Sequence, residues 1–404
     1  MRETAQAIKI AENVYWVGAI DWGIRDFHGY STSRGTTYNA YLILADKNVL
    51  IDTVKSPFLD EMLSRISSII APSEIDHIIS NHSEMDHSGS LLKAVDMIKP
   101  EKVFCSKNGA DALRKHFNPQ FELSIVKTGD KLELGGKTLS FIETKMLHWP
   151  DSMFTYLHED CILFSQDAFG MHLAGAEIFD DKVPNYILEI EAEKYYANIL
   201  LPYSDLVLKL LSQISSLGLK LKMLATDHGP IWRGNGVCKI LSLYEKWALQ
   251  NPVGRAILTY DTMWGSTAKM AEAIADGIIA GGSAVKIMPL NSSHRSDIAT
   301  EMLNSGAIII GSPTINNNIF PTVADLIFYL KGLRPKNKLG VAFGSFGWSG
   351  EAPKQIDSFM KEMKIEKVSE PISVKYVPTA EELKSCLEIG KKVSQKLKSL
   401  TQNQ

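Results

Sequence analysis

The segment Asn81-His82-Ser83-Glu84-Met85-Asp86-His87 packs two imidazoles and two carboxylates into six residues, between an apolar strand-like run, DHIIS, and a helix-like run, SLLKAVDMI. Groups so costly to desolvate have no ordinary place in a core, because buried charge must be paired or bound to metal. In a loop leaving a strand, His82, Glu84, Asp86 and His87 can converge from both sides of the turn as a mixed nitrogen and oxygen donor set suited to transition metals. Three further candidates stand in loop-like settings downstream: His148 in MLHWPDS, Asp167 in LFSQDAFG and His228 in ATDHGPIW. Each has a plain alternative, since a lone histidine is commonly a hydrogen-bonded structural residue and an aspartate ahead of a helix is a natural N-cap. The crowded hexapeptide turns the reading towards a metal centre.

A second chemistry is written after the strand-like run RAILTYD. Thr262, Met263, Trp264, Gly265, Ser266 and Thr267 lead into an amphipathic run, AKMAEAIADGIIAGG. Hydroxyls and backbone N–H groups at a helix N-terminus can hold a phosphate monoester without any cation. The loop has no lysine, so it is not the GxxxxGKS/T loop of nucleotide hydrolases, nor is it a GxGxxG dinucleotide turn. It resembles the phosphate loop of flavodoxins. Two more loops follow apolar strands: Pro313, Thr314, Ile315, Asn316 and Asn317 after AIIIG, and Ser345, Phe346, Gly347, Trp348, Ser349 and Gly350 after LGVAFG. In a doubly wound sheet, ligands bind beyond the carboxyl ends of the strands. These loops supply donors and acceptors for a flavin edge, with Trp348 as a stacking ring, and together they point to FMN.

The elements that must position these loops fall into two patterns. From Arg255 onward, RAILTYD, AVKIMPL, AIIIGSPT, LGVAFGS and ISVKYVP alternate with helix-like runs, which implies a doubly wound parallel sheet. The first 250 residues instead carry β-rich blocks with helices between some of them, as in a two-sheet sandwich flanked by helices. The polar stretch from Leu249 to Gly254 suits a linker, so domains are expected over 1–250 and 255–400. At 404 residues, 45% hydrophobic and 22% charged, the chain has material for two cores, and disorder is excluded. A net charge of -3 gives no reason to expect nucleic acid. The N-terminal MRETAQAIKIAENVYW has no apolar signal region and no stretch is long enough to span a membrane, so a cytoplasmic location is expected. Cys105, Cys161, Cys238 and Cys386 show no CxxC pairing, which argues against iron–sulfur sites and disulfides, and each is expected as a small buried hydrophobe.

The metal segment resembles that of the metallo-β-lactamase fold, whose hydrolases carry HxHxDH followed by a distant His, Asp and His. Here Glu84 takes the place of the second His. The added carboxylate is a harder ligand that suits iron cycling between Fe(II) and Fe(III), and HxExDH is the signature of flavodiiron proteins. The resemblance extends over nearly the whole chain, through AIDWGIRDFHGY, GTTYNAY, LHWPDSMFTY and FGSFGWSGE, and is nearer to the rubredoxin:oxygen oxidoreductases than to the oxidases of reduced deazaflavin coenzyme. It implies an N-terminal metallo-β-lactamase-like αββα sandwich (α+β) followed by a flavodoxin-like α/β domain. It implies two non-haem irons, with His82, Glu84 and His148 on the first, Asp86, His87 and His228 on the second, and Asp167 bridging them. It further implies reduction of O2 to water or of NO to N2O, with FMN passing on electrons from an external donor such as rubredoxin or a reduced deazaflavin coenzyme. His28, His172 and Tyr195 are candidates for the substrate pocket. The expected assembly is a head-to-tail homodimer or a dimer of dimers. Two rival readings are a dizinc hydrolase with an accessory flavodoxin module, against which Glu84 speaks, and an electron carrier whose first domain is only a scaffold.

Overall fold

The computed structural model describes residues 5–402, which pack as two units. One runs to His28 and continues through Thr32–Tyr195 and Tyr203–Glu245; the other takes Gly29–Ser31, Tyr196–Pro202 and the chain from Lys246 onward.

In the first unit, β-branched and aromatic runs build two sheets. One is ordered Ile8–Ala11, Val14–Trp16, Tyr41–Ile43, Val49–Ile51, His77–Ser80, Lys102–Ser106 and Leu123–Val126. The other is ordered Lys131–Glu133, Thr138–Glu143, Met153–Leu157, Ile162–Gln166, Met223–Thr226 and Trp232–Arg233. The period of two along a strand decides where each side chain goes. Tyr41 and Ile43 enter an apolar layer with Phe141, Leu157 and Phe164 of the second sheet, while Leu42 faces Met62, Ile66 and Leu91 on the other side. Helices Leu59–Ser67, Leu91–Ile98 and Lys107–Phe117 cover that outer side, each with one apolar stripe. The architecture is the metallo-β-lactamase-like sandwich expected.

The second unit is a parallel sheet ordered Ala284–Pro289, Arg255–Tyr260, Ala307–Gly311 and Leu339–Phe346, with Glu366–Lys367 and Ile372–Lys375 both pairing along the last of these. The crossovers are helices Ser266–Ala280, Arg295–Leu303, Pro321–Leu333 and Ala352–Glu362, and Ala380–Gln402 closes the chain. This is the doubly wound, flavodoxin-like order, whose strand sequence reverses beside Arg255–Tyr260. In the last helix Cys386, Gly390, Val393 and Leu397 form the buried stripe and most of its lysines lie outside.

One expectation needs correction. Only Cys105 and Cys386 are buried hydrophobes; Cys161 is half-buried in a turn and Cys238 is exposed on helix Asn235–Leu249. Within the stretch Leu249 to Gly254, Gln250 is buried and its side-chain carbonyl accepts the Lys336 N–H at 2.8 Å. No helix among the described residues is long and apolar enough to cross a membrane.

Helix Ser266–Ala280 meets the closing helix backbone to backbone. A Cβ on Gly277 would lie 2.0 Å from the Leu387 carbonyl oxygen, whereas one on Gly332 would meet nothing within 4 Å. Gly277→Ala is therefore expected to destabilise the protein by about 1–3 kcal/mol through overpacking, and Gly332→Ala to be neutral or stabilising by up to ~1 kcal/mol. Urea unfolding of the two variants checks this contrast.

Candidate metal centre and flavin site

Three strand ends bring the predicted donors together. His82 and Glu84 leave His77–Ser80, and the short helix Met85–Ser88 that follows carries Asp86 and His87. Asp167 and His228 follow Ile162–Gln166 and Met223–Thr226, whose parallel pairing puts both residues at the same end of the sheet. His148 sits in the loop between Thr138–Glu143 and Met153–Leu157, where the Gln166 amide donates to the Leu147 carbonyl.

The seven donors form two sets: His82, Glu84, His148 and Asp167, and Asp86, His87 and His228. In the first, His148 Nε2 is 3.1 Å from Glu84 Oε2 and 2.9 Å from Asp167 Oδ2, which is also 3.3 Å from His82 Nε2. In the second, His228 Nε2 is 3.2 Å from Asp86 Oδ2, and His87 Nε2 is 3.2 Å from Asp167 Oδ1. Asp167 thus turns one carboxylate oxygen to each set.

The donors fit a pair of cations. His87 Nε2 and His228 Nε2 face one another at 3.1 Å. His228 Nδ1 lies 2.6 Å from the Thr37 carbonyl, which can only accept, so Nδ1 carries a hydrogen and Nε2 is the atom turned inward. Both Asp86 oxygens and Asp167 Oδ1 are buried without hydrogen-bond partners among the described residues. Burial would push the Glu84 and Asp167 carboxyls up, but the neighbouring imidazoles outweigh it and hold both well below the ordinary carboxylate range. Burial opposes the charge on His148, but its hydrogen bonds to the Asp167 and Glu84 carboxylates raise it to about 9. The pocket therefore demands positive charge, which protons on imidazoles supply in the protein alone and which metal ions at Nε2 would supply more fully.

His28, His172 and Tyr195 all reach this cluster. His28 Nε2 lies 3.3 Å from Glu84 Oε1 with its side chain largely in solvent. His172 places Nδ1 2.9 Å from Thr36 Oγ1 and its ring 4.7 Å from that of His228. The Tyr195 ring is 5.1 Å from that of His172. Phe27, unmarked in the sequence reading, packs over His28 and His172 at 4.4 and 4.9 Å.

In the second unit a cavity of about 550 Å³ is lined by Met263, Trp264, Ser266, Pro313, Thr314, Ile315, Asn316, Asn317, Ser345, Phe346, Gly347, Trp348 and Ser349. Of the remaining predicted flavin residues, Thr262 Oγ1 accepts the Gly265 N–H, Gly265 takes φ +84° to start the helix, and Thr267 is buried with its hydroxyl 2.9 Å from that of Ser345. These three shape the loop, and neither they nor Gly350 line the cavity. Tyr376 and Val377 do line it and were missed; they follow Ile372–Lys375, so the strand-end rule already pointed at them. Trp264 is 93% exposed and Trp348 85%, an unusual solvation for indoles that a planar aromatic ligand would relieve.

Residues 36–229 match the model of the ODP family of beta lactamases, and residues 258–390 match that of flavodoxins. A nitric oxide reductase of Moorella thermoacetica is 45% identical over 97% of this chain and 99% of its own. A rubredoxin-oxygen oxidoreductase of Megalodesulfovibrio gigas is 42% identical over 98% of this chain and 99% of its own. The crystal structure of the flavodiiron protein from Giardia intestinalis, 33% identical, matches 99% of this chain and 98% of its own with a TM-score of 0.94. The chain belongs to the flavodiiron family. In this flavodiiron chain all seven metal-donor candidates fall inside the first match and all the flavin loops inside the second.

Asp151, also missed, holds the first donor set from behind: its Oδ2 is 3.0 Å from His82 Nδ1 and accepts the Ser83 N–H and hydroxyl at 2.6 and 2.7 Å. Burial raises its carboxyl, but these partners pull it down to about 2 from 3.8. A depressed carboxylate contributes stability above its unfolded value that is lost as pH falls towards its folded one. Asp151→Asn should therefore weaken the metal-free protein by about 2 kcal/mol at neutral pH, and the difference from wild type should shrink as pH falls from 4 towards 2. Unfolding free energies across that pH range test it.

Proposed function

We propose that this chain reduces O2 to water, NO to N2O, or both, at a pair of non-haem irons supplied with electrons through FMN. The observation that carries the reading is Asp167, with one oxygen towards each of two donor sets. His82, Glu84 and His148 would hold one iron, Asp86, His87 and His228 the other, and Asp167 would bridge them. Bound there, the irons supply open Lewis-acid positions and redox equivalents, and FMN supplies electrons from the donor.

The chain's own residues set the conditions for that chemistry. Burial and then the charge of His228 press the His172 imidazole well below its ordinary range, so it stays neutral. Burial keeps the Tyr195 phenol well above its own, so it stays protonated. Two buried walls of the pocket therefore carry no charge at neutral pH. His28, exposed and in reach of Glu84, places Nε2 at the solvent edge of the cluster. Phe27 packs its ring against those of His28 and His172.

The flavin would rest in the 550 Å³ cavity, with its phosphate at the N-terminus of Ser266–Ala280 and its ring among Trp348, Trp264 and Tyr376. The electron donor is external, a rubredoxin or a reduced deazaflavin coenzyme, and the working form is a cytoplasmic homodimer or dimer of dimers. Relatives named rubredoxin-oxygen oxidoreductase and coenzyme F420H(2) oxidase support the external donor.

Anaerobically reduced protein, assayed with electrodes for O2 and NO side by side, is expected to consume at least one gas. Consumption of neither by protein holding about two irons and one FMN per chain overturns the reading, and stoichiometric zinc in place of iron would favour the hydrolase. Glu84→His should lower iron retention or gas turnover; unchanged iron and unchanged rates would remove Glu84 from the account.

A further inference from the structure

Behind the donor sets lies an outer layer of polar groups that holds the imidazoles unequally. His82 Nδ1 has Asp151, and His228 Nδ1 has the Thr37 carbonyl. His87 Nδ1 is buried without a hydrogen bond, and the group facing it is the Asp227 carboxylate, whose Oδ2 lies 3.5 Å away. Asp227 is 1% exposed, and neither of its oxygens has a hydrogen-bond partner among the described residues. A bare carboxylate at that depth is costly unless something compensates it. Asp52, its charged neighbour, has both oxygens occupied by the Asn81 backbone N–H and side-chain amide at 2.7 and 2.9 Å, and as a second carboxylate adds to the burden.

The backbone leaves Asp227 little else to do. Its N–H donates to the Gln166 carbonyl at 2.9 Å and its own carbonyl accepts the Asn39 N–H at 2.8 Å, so the main chain is clamped between Gln166 and Asn39. Only the side-chain torsions remain to aim the carboxylate.

We infer that Asp227 is the positioning residue of His87: when Nε2 is committed to a metal ion, Nδ1–H donates to Asp227 Oδ2, fixing the ring and strengthening it as a ligand. The inference rests on the ligand assignment proposed above. It makes the two metal positions unlike in kind. His82 is anchored by a carboxylate that Ser83 already holds, whereas His87 and Asp227 are each without a hydrogen bond at the facing atoms until the ion binds. Occupancy of the second position and order in the His87–Asp227 pair rise together.

The test titrates metal-free protein with Co2+ under anaerobic conditions, reading the ions bound per chain and both dissociation constants from the visible d–d bands. Wild type is expected to bind two ions. Asp227→Asn is expected to weaken one binding event about 10–100-fold, to leave the other unchanged, and to leave the metal-free melting temperature at or above that of wild type, because the buried carboxyl has no hydrogen bond to lose among the described residues. In a His87→Ala background the same substitution is expected to add no further loss, the mark of two residues acting as a unit. Wild type binding fewer than two ions overturns the ligand assignment and this inference with it. Two ions on wild type with unchanged affinities in Asp227→Asn, additive losses in the double variant, or a metal-free Asp227→Asn that melts lower than wild type each overturn the role of Asp227 alone.

Discussion

Asp167 cannot be satisfied by one neighbour. It is buried, its two oxygens face different groups of donors, and the residues around it include four imidazoles and two further carboxylates. Such a pocket is stable only if positive charge enters it, and everything nearby serves to keep the donors aimed at where that charge belongs. The parallel pairing of Ile162–Gln166 with Met223–Thr226 brings Asp167 and His228 to one end of the sheet. Asp52 holds Asn81 by backbone and side chain together, fixing the strand end from which His82 departs. The sandwich thus acts as a frame for groups that repel or compete with each other until they are bridged.

Much of this was legible in the sequence because it is local. Four donors in six residues advertise themselves, and the strand-to-helix loops of the second unit follow a rule of topology that needs only the order of elements. The outer layer was not legible. Asp52, Asp151 and Asp227 are single aspartates whose meaning depends on partners that only folding brings near: the Asn81 amides for the first, and a histidine ring nitrogen for each of the other two. Phe27 was invisible for the same reason, since an aromatic beside a histidine in sequence says nothing about a second histidine at 4.9 Å.

The misread residues have equally physical explanations. Cys238 fell on the solvent side of its helix, where the 3.6-residue period outweighs the preference of the residue type. Tyr376 adopts φ +59° just past the last strand, a backbone turn that swings its ring to the cavity and that no pattern of hydrophobicity encodes.

The close seam between helix Ser266–Ala280 and the closing helix has a reach beyond packing. The first of these begins just after the loop Thr262–Gly265 and is packed near its far end by Gly277 against Leu387 and Gly390. With no side chain between the two backbones, there is no soft layer to absorb a change in either helix, so the closing helix is part of the foundation on which that loop stands.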